Sequence, residues 1–139
     1  MHTATLLLDG TVLVTGADST AEQYSPGTGT FSVVGQLSTG LGATATLRND
    51  GMINDGTVLV AGGRGRVSYA LAELFAPESG GFVTTGSLIT ARDGHTATLL
   101  VDGSVLVTGG TKRTVAGCGW GSRFCKVTSV VLSSAELFK

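Results

Sequence analysis

The chain has 139 residues, 42% of them hydrophobic and 14% charged, which suits one domain with a sizeable core and argues against disorder. Nine Lys and Arg against ten Asp and Glu leave a formal charge of -1. No global field therefore draws nucleic acid or an anionic membrane, and no apolar run approaches the roughly 18 to 20 residues of a bilayer span.

Glycine stands out, 22 residues beside only two prolines and without a G-X-Y period, so collagen is excluded and many tight turns are expected. The predicted elements then fall into one unit read three times. After His2, Thr3-Ala4-Thr5-Leu6-Leu7 forms a first strand, Asp9-Gly10 a turn, and Val12-Leu13-Val14 a second strand. Ala21-Glu22-Gln23-Tyr24 is the third, a Pro-Gly turn over residues 25–29 follows, and Phe31 marks the fourth, which runs out at Gly35-Gln36-Leu37-Ser38. Asp-Gly between strand-like runs predicts a two-residue type I′ hairpin.

The second unit repeats this from Ala43, with Thr44-Ala45-Thr46-Leu47, Val58-Leu59-Val60, Ala72-Glu73-Leu74-Phe75 and Phe82. Its first hairpin is longer, and Asn49-Asp50-Gly51 and Asn54-Asp55-Gly56 read there as an extended turn, since their spacing does not match an EF-hand loop. The third unit opens at His95 with Thr96-Ala97-Thr98-Leu99, continues through Val105-Leu106-Val107, carries a long segment from Thr111 to Ser133, and resumes at Ala135-Glu136-Leu137-Phe138 without a fourth strand. The Val-Leu-Val runs do not alternate with polar residues, which predicts strands covered on both faces, as in a radial stack of sheets with the small Thr-Ala-Thr strands at the axis.

The strings H-T-A-T-L-L, D-G-x-V-L-V-x-G-G, A-E-L-F/Y-x-P and T-G-S-L-x-x-x-R resemble bacterial kelch repeats over nearly the whole chain. Gly62-Gly63 and Gly109-Gly110 match the paired glycines of that family; Gly16-Ala17 replaces one pair, Ala43 stands where the other units have His2 and His95, and Phe31 and Phe82 stand where kelch repeats usually have Trp. The resemblance implies an all-β, kelch-type β-propeller segment of four-stranded antiparallel blades, about 2.75 blades that do not close within one chain. Blade one is expected over residues 2–38, blade two over 43–89, and blade three over 95–139 with its outer strand missing. The open ends predict either a piece of a longer propeller or self-association, for example two copies closing a ring.

In such a fold the loops after second strands and between blades share one face. That face gathers Arg64, Arg66, Tyr69, Arg92, Lys112, Arg113 and Arg123, a basic rim that suits an anionic ligand, or alternatively a set of solvated loop residues. Cys118 and Cys125 bracket a short loop whose spacing suits a disulfide better than zinc, with two free thiols as the alternative. Trp120 and Phe124 inside it are candidates for sugar or protein contact or for packing the loop down.

Catalytic signals are weak. Glu22, Glu73 and Glu136 occupy one repeat position, as do His2 and His95, which favours structural roles. Gly62-Gly63-Arg64-Gly65 precedes no helix, so no dinucleotide site is expected, and neither a nucleophile elbow nor a Walker loop is present. Some kelch-family proteins are copper-radical oxidases, but Tyr24 and Tyr69 have no evident cysteine partner. The expectation is a binding module for a protein or carbohydrate ligand, without metal or cofactor; the alternative is a piece of a secreted, galactose-oxidase-like or glycan-acting enzyme whose catalytic residues lie elsewhere. No signal core follows Met1, which predicts a cytoplasmic location if Met1 is the true start and an extracellular or cell-surface one if an upstream segment carried a signal.

Overall fold

A computed structural model describes residues 1–16, 19–49, 51, 56–119 and 124–139. Its described residues form strands and no helix. The first sheet runs in the order β1 (Thr3–Leu6), β2 (Val12–Thr15), β3 (Thr20–Ser25), β4 (Thr30–Gln36), each strand antiparallel to the next. The second repeats it with β5 (Leu41–Leu47), β6 (Val58–Arg64), β7 (Ala72–Ala76) and β8 (Gly81–Thr84). In the third, β9 (Thr96–Leu99) pairs with β10 (Val105–Thr108); a separate two-stranded ribbon, β11 (Thr111–Ala116) and β12 (Lys126–Val131), intervenes before β13 (Ala135–Phe138) returns to β10. The long segment from Thr111 to Ser133 thus holds a hairpin of its own, and its two strands pair over their full length.

The inner strands β1, β5 and β9 adjoin in turn, which gives the sheets the radial order of propeller blades. Two cores fill the gaps. Leu13, Ala21 and Leu37 of the first blade meet Val58, Val60 and Phe75 of the second. Leu59, Ala61, Ala72 and Leu88 of the second meet Val105, Val107 and Phe138 of the third. Each fully buried side chain of this size contributes about 1.5 to 3 kcal/mol, so these two seams hold the blades together.

The three Val-Leu-Val strands differ in cover according to position. In β6 all three residues are buried, because blades pack on both sides. Of Val12-Leu13-Val14 only Leu13 is buried, and of Val105-Leu106-Val107 only the two valines are, because each end sheet has one open face. Burial on both faces therefore holds for the middle blade alone. Behind β6, Phe75 and Phe82 tilt together at 5.0 Å, as Tyr24 and Phe31 do at 4.8 Å in the first blade.

The Asp-Gly hairpins differ from the expected type I′ turn. Gly10 N donates to Leu7 O at 3.1 Å and Leu7 N to Thr11 O at 2.8 Å, so the loop holds three residues, Leu8-Asp9-Gly10. Gly10 alone takes positive φ, at 83°. This is a turn closed by a glycine bulge. Asp9 serves as an acceptor instead: its Oδ1 takes hydrogen bonds from Thr11 N at 2.9 Å and Thr11 Oγ1 at 2.6 Å. Leu100 to Ser104 repeats the arrangement, with Asp102 accepting from Ser104.

Candidate functional site: the loop face

The linkers at residues 37–40 and 85–95, the loop at 65–71 and the ribbon all open on one face. The linkers cross close over the glycine pairs. A Cβ on Gly62 (φ +72) would come within 2.6 Å of both Arg92 O and the His95 ring. Only glycine admits that approach.

Arg92 is not on the rim. Its side chain is 1% exposed and pairs with the Glu136 carboxylate at 2.8 Å. Nη1 donates to Gly109 O at 2.8 Å and Ser134 O at 3.1 Å, and Nη2 to Ser134 Oγ at 3.1 Å. Every direction in which a ligand would approach is filled by protein. The expected rim role of Arg92 is therefore corrected: a desolvated guanidinium needs a counter-charge, and Glu136 from the next blade supplies it.

Glu136 also accepts backbone hydrogen bonds from Ile89 and Thr90 in the preceding linker. Glu73 does the same one blade earlier, accepting from Ser38 N at 2.9 Å and Thr39 N at 3.2 Å. The repeated glutamate is thus a clamp on the linker that enters its blade. Glu22, the first of the series, makes no such bond among the described residues.

Arg64 is partly exposed but bound within the scaffold, its Nε 3.2 Å from Asp93 Oδ1. Ser68 Oγ donates to Asp93 Oδ2 at 2.7 Å and accepts from Arg113 N at 2.8 Å. Asp93 and Thr111 exchange both backbone hydrogen bonds, at 3.0 and 2.8 Å. Ser68 and Asp93 thus root the ribbon on the second and third blades. Neither stood out in the sequence, where each is one polar residue among several in its loop.

Tyr69 is half-buried, with its ring folded over Gly65, and its carbonyl accepts from Arg92 N at 3.0 Å. Arg66 is exposed, its Nη2 3.7 Å from Cys125 Sγ. Cys118 and Cys125 form a disulfide beyond the ribbon strands. Trp120 and Arg123 lie outside the described residues. Lys112 and Lys126 are exposed on one face of the ribbon, and Arg113 is half-buried on the other. The rim therefore splits: Arg64 and Arg92 are neutralised by carboxylates, while Arg66, Lys112 and Lys126 face water.

His95 is 6% exposed, with Nε2 2.9 Å from Thr44 Oγ1 and no hydrogen-bond partner for Nδ1. Burial, reinforced by the Arg92 charge, lowers its pKa to about 4. In the end blades the equivalent threonine bonds a partner across the sheet, Thr3 to Thr15 and Thr96 to Thr108, each at 2.7 Å. In the middle blade Ala61 stands at the partner position, which leaves Thr44 for His95. His2 is exposed beside a cleft of about 10 Å³, lined also by Thr15, Gly16 and Thr39, room for a single water. Among the described residues no three His, Cys, Asp or Glu side chains converge to hold a metal.

No protein-family model matches the chain, and no curated protein matches it. A solved structure of a fungal alcohol oxidase of the AA5 family, in complex with copper, is similar over 82% of this chain, with a TM-score of 0.61 and 17% identity. The match covers 27% of that protein, so this chain spans about a quarter of its length. The likeness is one of fold: the chain is an open, β-propeller-like array of antiparallel sheets.

Proposed function

We propose that the chain is a kelch-type interaction module, not itself an enzyme, which presents the β11–β12 ribbon to an anionic protein or carbohydrate ligand. The ribbon carries this reading. It is the largest addition to the repeat, it is held at its root by Ser68 and Asp93 and at its far end by a disulfide, and β12 is exposed at every position. A stiff, exposed hairpin flanked by Arg66, Lys112 and Lys126 loses little conformational freedom on binding. The disulfide suits an oxidising compartment.

The test is binding of a panel of sulfated oligosaccharides and acidic peptides, with Arg66, Lys112 and Lys126 replaced together by serine. A loss of at least about ten-fold in affinity at unchanged melting temperature is expected. Equal binding by the variant overturns the reading.

A second reading is a piece of a longer, oxidase-like enzyme whose catalytic residues lie in further blades. The AA5 neighbour favours it. Hydrogen peroxide formation from alcohols by a longer polypeptide that contains these repeats, and not by one with its additional blades deleted, is the discriminating result.

A further inference from the structure

Paired residues in the first sheet place Ala4, Leu6, Val12, Val14, Tyr24 and Phe31 on one face, together with Glu22. The equivalent face of the second sheet, Ala45, Leu47, Val58, Val60, Phe75 and Phe82, is the one the first blade covers. The third sheet offers the same face, with Val105, Val107 and Phe138, to the second blade. The covering face is also a repeated object: Leu13 with Ala21 in the first blade, Leu59 with Ala72 in the second. In the third blade its members are Leu106, Ala135 and Leu137, which share the face turned away from the second blade.

Each seam inside the molecule thus joins one receiving face to one covering face, and the chain ends with one of each left over. Exposure measures the difference. Val58 and Val60 are 0% exposed while their counterparts Val12 and Val14 are partly open, and Leu47, Phe82 and Leu74 are partly buried while their counterparts Leu6, Phe31 and Leu137 are 63%, 59% and 50% exposed. The leftover faces sit at opposite ends, so they cannot meet within one molecule.

From this we infer that a second copy of the chain covers the first sheet with its third, and receives the first molecule's third sheet on its own first, in a closed pair of six blades. The contact is head-to-tail, and its chemistry is that of the two seams already within the chain. Two copies form the smallest closed ring in which every face is covered.

Sedimentation of the purified, disulfide-intact chain at micromolar concentration tests this. The wild type is expected as a dimer. Leu6→Asp with Phe31→Asp disables the receiving face, and Leu137→Asp disables the covering face; each is expected to raise the dissociation constant at least about ten-fold. All three sites are exposed in the single chain, and unchanged circular dichroism confirms that the variants fold. The decisive arm mixes the two variants. A head-to-tail contact leaves one intact interface in the mixed pair, so a heterodimer forms where neither variant self-associates. A monomeric wild type, a mixture that stays monomeric, or an assembly that grows without limit with concentration each overturns the inference.

Discussion

Arg92 and Glu136 meet at 2.8 Å across the seam between the second and third blades, with side-chain exposures of 1% and 7%. Breaking such a buried pair leaves an uncompensated charge, at about 3 to 5 kcal/mol. Glu136→Gln is expected to lose that much by urea denaturation. Arg92→Met is expected to lose less, because the carboxylate keeps its bonds from Ile89 and Thr90. An unchanged midpoint for Arg92→Met would show that the pair is not a structural element.

The glutamate series gives an internal control. Glu73→Ala strands the Ser38 and Thr39 amides under the second blade, and a cost of about 2 to 4 kcal/mol is expected, or roughly 10 °C in melting temperature. Glu22→Ala at the same repeat position, which accepts no linker amide among the described residues, is expected to fall within about 0.5 kcal/mol of wild type. Equal effects at the two positions would contradict the clamp.

His95 sets a pH window. Its pKa is lowered from 6.5 to about 4 on folding, so between those values the unfolded chain binds the proton and the folded chain does not. Stability is therefore full above pH 6.5 and falls as pH drops towards 4, by on the order of 3 kcal/mol. His95→Gln is expected to flatten the profile across this window in denaturation at stepped pH. The carboxylates of Asp9 and Asp102, held below 3.8 chiefly by the Thr11 and Ser104 hydroxyls, protonate below it.

Reduction of Cys118–Cys125 is expected to act locally. By loop entropy the bond contributes about 2.5 kcal/mol to the ribbon tip, and the ribbon stands apart from both cores. Hydrogen exchange should quicken in β11 and β12 and stay unchanged in β2, β6 and β10. A uniform rise across all five strands would show that the ribbon unfolds with the blades.

The architecture was legible because the repeat states it three times: the Thr-Ala-Thr strands, the Val-Leu-Val strands and the Asp9-Gly10 and Asp102-Gly103 turns lie where the spacing puts them, while Asp50 and Asp55 of the extended turn lie outside the described residues. The turn type was not. Asp-Gly is compatible with both hairpin forms, and Thr11 and Ser104, whose groups engage the aspartates, decide between them only once the backbone is built. Arg92 was misplaced because a charged residue in a glycine-flanked linker looks like surface; its partner lies one blade ahead, and only the radial order brings the two together. The ribbon alternates too weakly in Lys126–Val131 to announce a strand, whereas its rooting on Ser68 and Asp93 depends on contacts across blades.

The ribbon also bears on the order in which the molecule assembles. Its insertion separates Thr108 from Ala135, which pair directly in the third sheet, while in the first the paired Thr15 and Ala21 are only six positions apart in the sequence. Closing the longer gap costs more chain entropy before any contact repays it, so the third blade is expected to complete itself last. Oxidation of the two cysteines shortens that gap in advance. The rate at which β13 docks should then depend on redox conditions, even though the finished core does not.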